Sequence, residues 1–266
     1  MELTFSHRTG YQHQEGVDYG LLELRKRPLT NQVQSVASWH IEISGGRHEL
    51  DFKDHNGNHV ALISYDKDST TLEIATEGRV VTRETHGVFG QHDGIAPLWY
   101  YQRSTALTTA GPEVRRLAKG FDQWAGGELD RLHALADEIR AGVAYNTGRT
   151  DTSTGAEAAL ESGHGVCQDH AHIMLAACRL LGFPARYVGG HLLTPEEEYQ
   201  EAGHAWAEIH VPDLGWVGFD VSNGVSPDER YIRVSTGLDY AEAAPVTGMR
   251  YGAGEHSMAV TVQVQQ

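Results

Sequence analysis

The sequence predicts an α+β protein with its β structure first, and three observations carry that expectation. Short runs with a period of two fill much of the first ~85 residues. Helical spacing of apolar residues begins near Pro112 and continues to Leu181, and strand-like runs return after Pro184. Strands and helices segregated in this way give antiparallel sheets with helices gathered on a face, not a repeating βαβ array.

Within residues 1–85, Trp39, Ile41 and Ile43 alternate with His40 and Glu42, and Leu50 and Phe52 alternate with Glu49, Asp51 and Lys53. Ala61, Ile63 and Tyr65 form a third set, Leu72 and Ile74 a fourth. Such alternation is the pattern of a strand with one face buried. Gly45-Gly46, Asn56-Gly57-Asn58 and Asp66-Lys67-Asp68-Ser69 separate the runs, and Asn-Gly favours a hairpin because both residues tolerate positive φ. A small antiparallel sandwich or barrel is expected. Residues 86–112 carry Gly87, Gly90, Gly94, Pro97, Gly111 and Pro112 and read as a connector, with Trp99-Tyr100-Tyr101 packing between the two halves.

Residues 113–266 form the second domain. Pro112 starts a helix carrying Val114, Leu117, Ala118 and Phe121, and Leu129, Leu132, Leu135, Ala136, Ile139 and Val143 share one face of the next. Residues 146–163 read as a loop with room for one short helix. Cys167 to Leu181 is apolar on most sides, a buried helix that Gly182 stops and Pro184 cannot continue. Strands follow at Ala185–Gly189, Ala205–Val211 and Trp216–Val221, and Met258, Val260, Val262 and Val264 mark a closing strand.

The 266 residues carry 21 Lys and Arg against 36 Asp and Glu, a net charge of −15. That balance repels phosphate, which disfavours nucleic-acid and anionic-membrane partners. The densest basic run, Arg25-Lys26-Arg27, is too short to reverse it, and the acidic run Pro195-Glu196-Glu197-Glu198 reads as a solvated loop or helix start. No stretch approaches the ~18 apolar residues of a membrane span. Met1 to Arg8 lack a cationic segment followed by an apolar run, so a cytoplasmic protein is expected. On one helix, Cys167 and Cys178 would lie roughly 16 Å apart, beyond disulfide reach and in keeping with a reducing compartment. Nothing in the sequence sets the oligomeric state.

Three pieces carry chemistry. In Gly163-His164-Gly165-Val166-Cys167-Gln168-Asp169-His170-Ala171 a cysteine opens a helix after a glycine-rich turn, where unpaired N–H groups and the positive dipole end favour a thiolate. A lone cysteine is also often a small buried hydrophobe; that reading is kept for Cys178 and stays open for Cys167. His204, at the start of a strand in Gly203-His204-Ala205-Trp206, offers an imidazole to exchange a proton with a thiol. Asp220 ends the apolar run Gly215-Trp216-Val217-Gly218-Phe219 and offers a carboxylate to orient that ring. With sixteen histidines, no single one is diagnostic. Cys167 with His164, His170 or His172 has poor zinc-ligand spacing, and neither Cys-x-x-Cys, His-Glu-x-x-His nor a calcium loop occurs. No metal and no cofactor are expected.

Gly165-Val166-Cys167-Gln168-Asp169-His170-Ala171, then Arg179 with Gly182-Phe183-Pro184-Ala185-Arg186-Tyr187-Val188-Gly189-Gly190, then His204-Ala205-Trp206 and Gly215-Trp216 to Asp220, together resemble the core of the bacterial transglutaminase-like superfamily. Gln32, Asp54 and Gly57-Asn58 resemble the β domain that precedes this core in many members. The resemblance implies a papain-like core, its cysteine on a helix packed against an antiparallel sheet. Cys167 would be the nucleophile, His204 the base and acid, and Asp220 the orienting carboxylate. The substrate would be a peptide or protein carboxamide, attacked through a thioester. Hydrolysis by a protease or amidase is expected ahead of transfer to an amine by a protein-glutamine transglutaminase; the alternative of another class is a non-catalytic interaction module on the same fold. The Cys167 N–H is the first oxyanion donor, Tyr145, Gln168 and His164 are candidates for the second, and Trp206 is a candidate wall of the thiol pocket. Asp169 takes a structural role. Where many members carry proline and threonine after the aspartate, this chain has Val221-Ser222-Asn223-Gly224.

Overall fold

The computed structural model describes residues 1–194, 203–252 and 256–266. The acidic run at 195–198 lies outside the described residues.

Five strands open the chain: β1 (Glu2–Leu24), β2 (Gln34–Ser44), β3 (Gly46–Lys53), β4 (His59–Tyr65) and β5 (Ser69–Thr82), ordered β2-β5-β1-β4-β3 with every pairing antiparallel. The 23-residue β1 is the spine of this sheet. Its first half pairs with β5 and its last four residues with β4. β1 has no run in the sequence reading, and its inward face shows why. Leu3 and Phe5 are buried, but the same face continues with His7, Thr9 and His13, also buried, so the apolar half of the alternation is missing. β3 departs from expectation in the opposite sense: Leu50 and Phe52 are 47% and 38% exposed. It is an edge strand with neither face covered, so alternation there does not mark a core.

The second half follows. β6 (Val88–Gly90) and a short 3-10 helix (Leu98–Gln102) interrupt the connector, and α1 (Pro112–Lys119), α2 (Glu128–Gly142), β7 (Ala144–Tyr145), α3 (Ala156–Ser162), β8 (His164–Gly165) and α4 (Cys167–Leu180) come next. β9 (Ala185–Leu192), β10 (His204–Val211), β11 (Gly215–Phe219) and β12 (Tyr231–Gly237) join β6 in an antiparallel sheet ordered β12-β9-β10-β11-β6. After α5 (Tyr240–Ala243), β13 (Val246–Gly252) and β14 (His256–Gln265) cross back and pair with β1, so the chain's last strands complete its first sheet.

The helices pack on the second sheet. Leu132, Leu135 and Ile139 from α2, Ile173 and Leu175 from α4, Ile209 from β10 and Phe219 from β11 share one core. Each buried side chain of this size contributes roughly 1.5–3 kcal/mol, which fixes α4 and the cysteine at its start. Gly182, at φ +89°, ends the helix in the left-handed region. Beneath it the buried Arg179 donates to the carbonyls of Tyr101, Ala185 and Leu238 and to Thr108 Oγ1 at 2.6–3.1 Å, tying the helix end to three other segments.

Named contacts dock the two halves. Gln34 Nε2 donates to the Arg233 carbonyl at 2.7 Å and Gln34 Oε1 accepts from Arg233 N–H. Asn58 makes the same reciprocal pair with Thr236 on β12. From the connector, Tyr101 is buried against Trp216, and Tyr100 Oη lies 2.6 Å from His55 Nε2 and donates to Glu242 at 2.9 Å, while Trp99 is 64% exposed.

Candidate active site

Cys167 is the first residue of α4. The left-handed Gly163 ends α3, and β8 then pairs in parallel with β7, Tyr145 opposite Gly165. That pairing carries Tyr145 to the start of α4. Asp169 Oδ2 accepts from the Val166 N–H at 2.8 Å and from Thr150 Oγ1 at 2.7 Å. Its carboxylate thus caps the helix and pins the preceding loop.

His204 opens β10 and Asp220 follows β11. The two strands are antiparallel with Ala207 opposite Phe219, so both residues lie at one end of the sheet. His204 Nε2 is 2.6 Å from Asp220 Oδ2, which leaves Nδ1 for the thiol. The Cys167 side chain interacts with the His204 ring and with the Tyr145 hydroxyl. Burial works against a charged ring, but the contacts with Asp220 and Cys167 outweigh it, and His204 is pushed up to about 10. Burial likewise opposes ionisation of Asp220, yet its bonds to His204, Asn223 and Tyr231 hold it below the usual carboxylate range. Burial first, then the negative charges of Cys167 and Asp220, push Tyr145 up to about 12.

Two partners of Asp220 escape the sequence reading. Tyr231 Oη and Asn223 Nδ2 both donate to Oδ2 at 2.7 Å. Asn223 lies in the turn after Asp220, where an amide three residues on is a legible signal. Tyr231 comes from β12, and only sheet packing brings it there. In the same turn Ser222 Oγ lies 2.7 Å from His170 Nδ1, whose Nε2 faces the Val143 carbonyl at 2.9 Å, so α4 and the Asp220 turn are joined. Tyr231→Phe should slow iodoacetamide alkylation of Cys167 roughly tenfold, with unchanged circular dichroism, because it deletes one hydrogen bond to a buried charge.

Cys167, Gln168 and His204 line a cavity of about 380 Å³ together with residues of the first sheet. Tyr145, 54% exposed, stands at the thiol. His164 is exposed, its Nδ1 held by Asn146 at 2.9 Å, and does not reach the cavity wall. Trp206 is buried with Val188, Leu192 and Tyr231 and stacks on His204 at 6.3 Å between ring centres, backing the imidazole from within the core. His172 is buried, and its Nε2 accepts from the Tyr240 N–H at 3.1 Å. Among the described residues no three His, Cys, Asp or Glu side chains converge on a point a metal ion could occupy, and no helix is long and apolar enough to cross a membrane.

Residues 115–221 match the family model of the transglutaminase-like superfamily, and residues 3–81 match that of the bacterial transglutaminase-like N-terminal region. The chain belongs to the transglutaminase-like superfamily. This superfamily member is similar to an uncharacterized protein of Mycobacterium leprae (strain TN), 26% identical over 278 residues that cover 97% of this chain and 96% of the other. An uncharacterized protein of Mycobacterium bovis is 37% identical over 140 residues, and the match spans 49% of this chain and 45% of that protein. A protein-glutamine gamma-glutamyltransferase of Pseudomonas aeruginosa is 32% identical over 107 residues, 35% of this chain and 15% of that protein. In fold, the superfamily member resembles a crystal structure from Cytophaga hutchinsonii described as a candidate cysteine protease, with a TM-score of 0.80 at 20% identity, covering 100% of this chain and 90% of the other.

Proposed function

We propose that the protein is a cysteine-dependent acyl-transfer enzyme that cleaves peptide or carboxamide bonds, with water as the final acceptor. The contact of Cys167 with His204 on the wall of one cavity, with Asp220 buried behind the ring at 2.6 Å, carries the reading. The Cys167 thiol gives its proton to His204, and the sulfur attacks the carbonyl carbon. The oxyanion forms beside the first N–H groups of α4, whose positive end favours it, with Tyr145 and Gln168 within the same site. Collapse breaks the carbon–nitrogen bond, and the amine leaves with the proton from His204. Water then attacks the thioester, losing its proton to His204, and the acid leaves as the thiol is restored.

Solvent access supports water over an amine as acceptor. Cys167 is partly exposed and Tyr145 mostly so, whereas a transferase must shield its thioester until the amine arrives. Incubation of the protein with a glutamine-containing peptide and a primary amine should release ammonia without amine incorporation, and Cys167→Ala should abolish the release. Incorporation matching the ammonia released would assign the alternative, a protein-glutamine transglutaminase; no turnover of any carboxamide or peptide by the folded protein would sink the enzymatic reading.

A further inference from the structure

The three residues of the basic run at 25–27 go to three different places. Arg25 donates to Glu23 at 2.7 Å and to Asp54 at 3.2 Å, so its charge is compensated. Arg27 lies over the Trp39 ring at 5.0 Å. Lys26 turns inward, is 3% exposed, and lines the cavity that Cys167 and His204 also line. Its Nζ donates to Thr9 Oγ1 at 2.8 Å, and among the described residues no carboxylate lies within ion-pair distance of it. In a chain with 36 Asp and Glu, that is a conspicuous omission, because a buried ammonium without an anion is costly.

The surroundings of Lys26 fit an anion. His7 and His191, both buried, line the same wall, and His191 Nδ1 has no hydrogen-bond partner. Val234, Val246 and Val260 supply apolar walls, where the attraction between opposite charges is strengthened. His7 and Thr9, two of the residues that break the apolar pattern of β1, both line this cavity, so they have a place in a site where they have none in a core. The cavity volume of about 380 Å³ suits the end of a short peptide.

We propose that Lys26 anchors a carboxylate subsite in the cavity shared with Cys167, and that the substrate carries a free carboxylate which this ammonium group holds while the scissile carbonyl meets the thiol. The proposal rests on Cys167 being the nucleophile. Burial pulls Lys26 down to about 7, and an arriving carboxylate restores the charged form by supplying the missing counter-ion. The N-terminal β domain then contributes directly to substrate selection instead of serving only as a scaffold.

The test compares affinity labels on the full chain: the N-iodoacetyl derivatives of glycine, β-alanine and 4-aminobutyrate, which differ in reach, against their neutral amides. At one or more of these lengths the carboxylate reagent should label Cys167 with saturation and roughly ten- to a hundredfold more efficiently than its amide. Lys26→Met should erase the preference while the rate with iodoacetamide stays unchanged, and Lys26→Arg should keep most of it. Equal rates for carboxylate and amide at all three lengths overturn the subsite without any variant, as does a preference that survives in Lys26→Met. If iodoacetamide itself fails to label Cys167, the nucleophile reading has failed and calorimetry with glutarate decides the subsite separately. Binding to the wild-type chain that Lys26→Met loses supports it; absence of binding overturns it.

Discussion

His204→Ala should lower carboxamide turnover by a factor on the order of 10²–10⁴ and slow iodoacetamide alkylation of Cys167 toward that of an ordinary thiol. The ring is the group that can take the thiol proton and return it to the leaving amine, and Asp220 at 2.6 Å, itself held by Tyr231 and Asn223, fixes its orientation. Asp220→Asn should fall between wild type and His204→Ala, since the ring stays but its charge partner is gone. The protonated ring is lost as pH rises through about 10, so the alkaline limb of kcat/KM should lie near that value, as a property of the coupled thiol and imidazole. Cys178 is the internal control: it is fully buried, burial pushes its thiol well up, and it should remain unlabelled in the native protein. Mass-spectrometric labelling at pH 7 checks both cysteines at once. Similar slow rates at Cys167 and Cys178, unaffected by His204→Ala, would remove the basis for a catalytic thiol.

Glu208→Ala should destabilise the protein by about 3–5 kcal/mol, because it leaves two arginines without their anion in the middle of the second sheet. Glu208 on β10 is 3% exposed and lies opposite Arg186 of β9. Its carboxylate accepts from Arg186 Nε at 2.6 Å and from Arg233 Nε at 2.9 Å. Arg186 is also buried, over the Trp216 ring at 4.0 Å. Burial raises the Glu208 pKa, but the two guanidinium groups outweigh it and hold the carboxyl at about 2 instead of 4.5. The folded-state value is depressed, so the stabilisation is fully present above pH 4.5 and is lost as pH falls from there through about 2. Thermal melts should show a wild-type midpoint that drops across this window, and a Glu208→Ala midpoint already low at pH 7 and less sensitive to acid. A variant as stable as wild type at pH 7 would mean that water or a rearranged side chain replaces the carboxylate.

The legible parts of the fold are those where burial follows the period of the element. Pro112 starts α1, Cys167 opens α4 and Gly182 stops it as the residue types indicate, because helix ends have local chemical requirements. β2, β4 and β5 contain the alternating runs read at 39–43, 61–65 and 72–74. β1 is different: His7 and Thr9 occupy inward positions because a cavity lies beneath them. β3 misleads in the other direction, since an uncovered edge strand alternates without burying anything.

The same division runs through the site. The chemical inventory is legible in the amino-acid order alone: a cysteine after a glycine turn, a histidine opening one strand, an aspartate ending the next, and the motif order that marks the superfamily. Which groups surround them follows from packing between distant segments. Tyr231 reaches Asp220 from β12, Tyr145 reaches the thiol through the short β7–β8 pairing, and Lys26 enters the cavity from the segment that follows β1. The return of β13 and β14 to β1 likewise depends on pairing across more than two hundred residues of sequence. The reason is physical: helix caps and turns are satisfied within a few residues, whereas cavity walls and cross-strand partners are chosen by chain segments whose separation leaves no local trace.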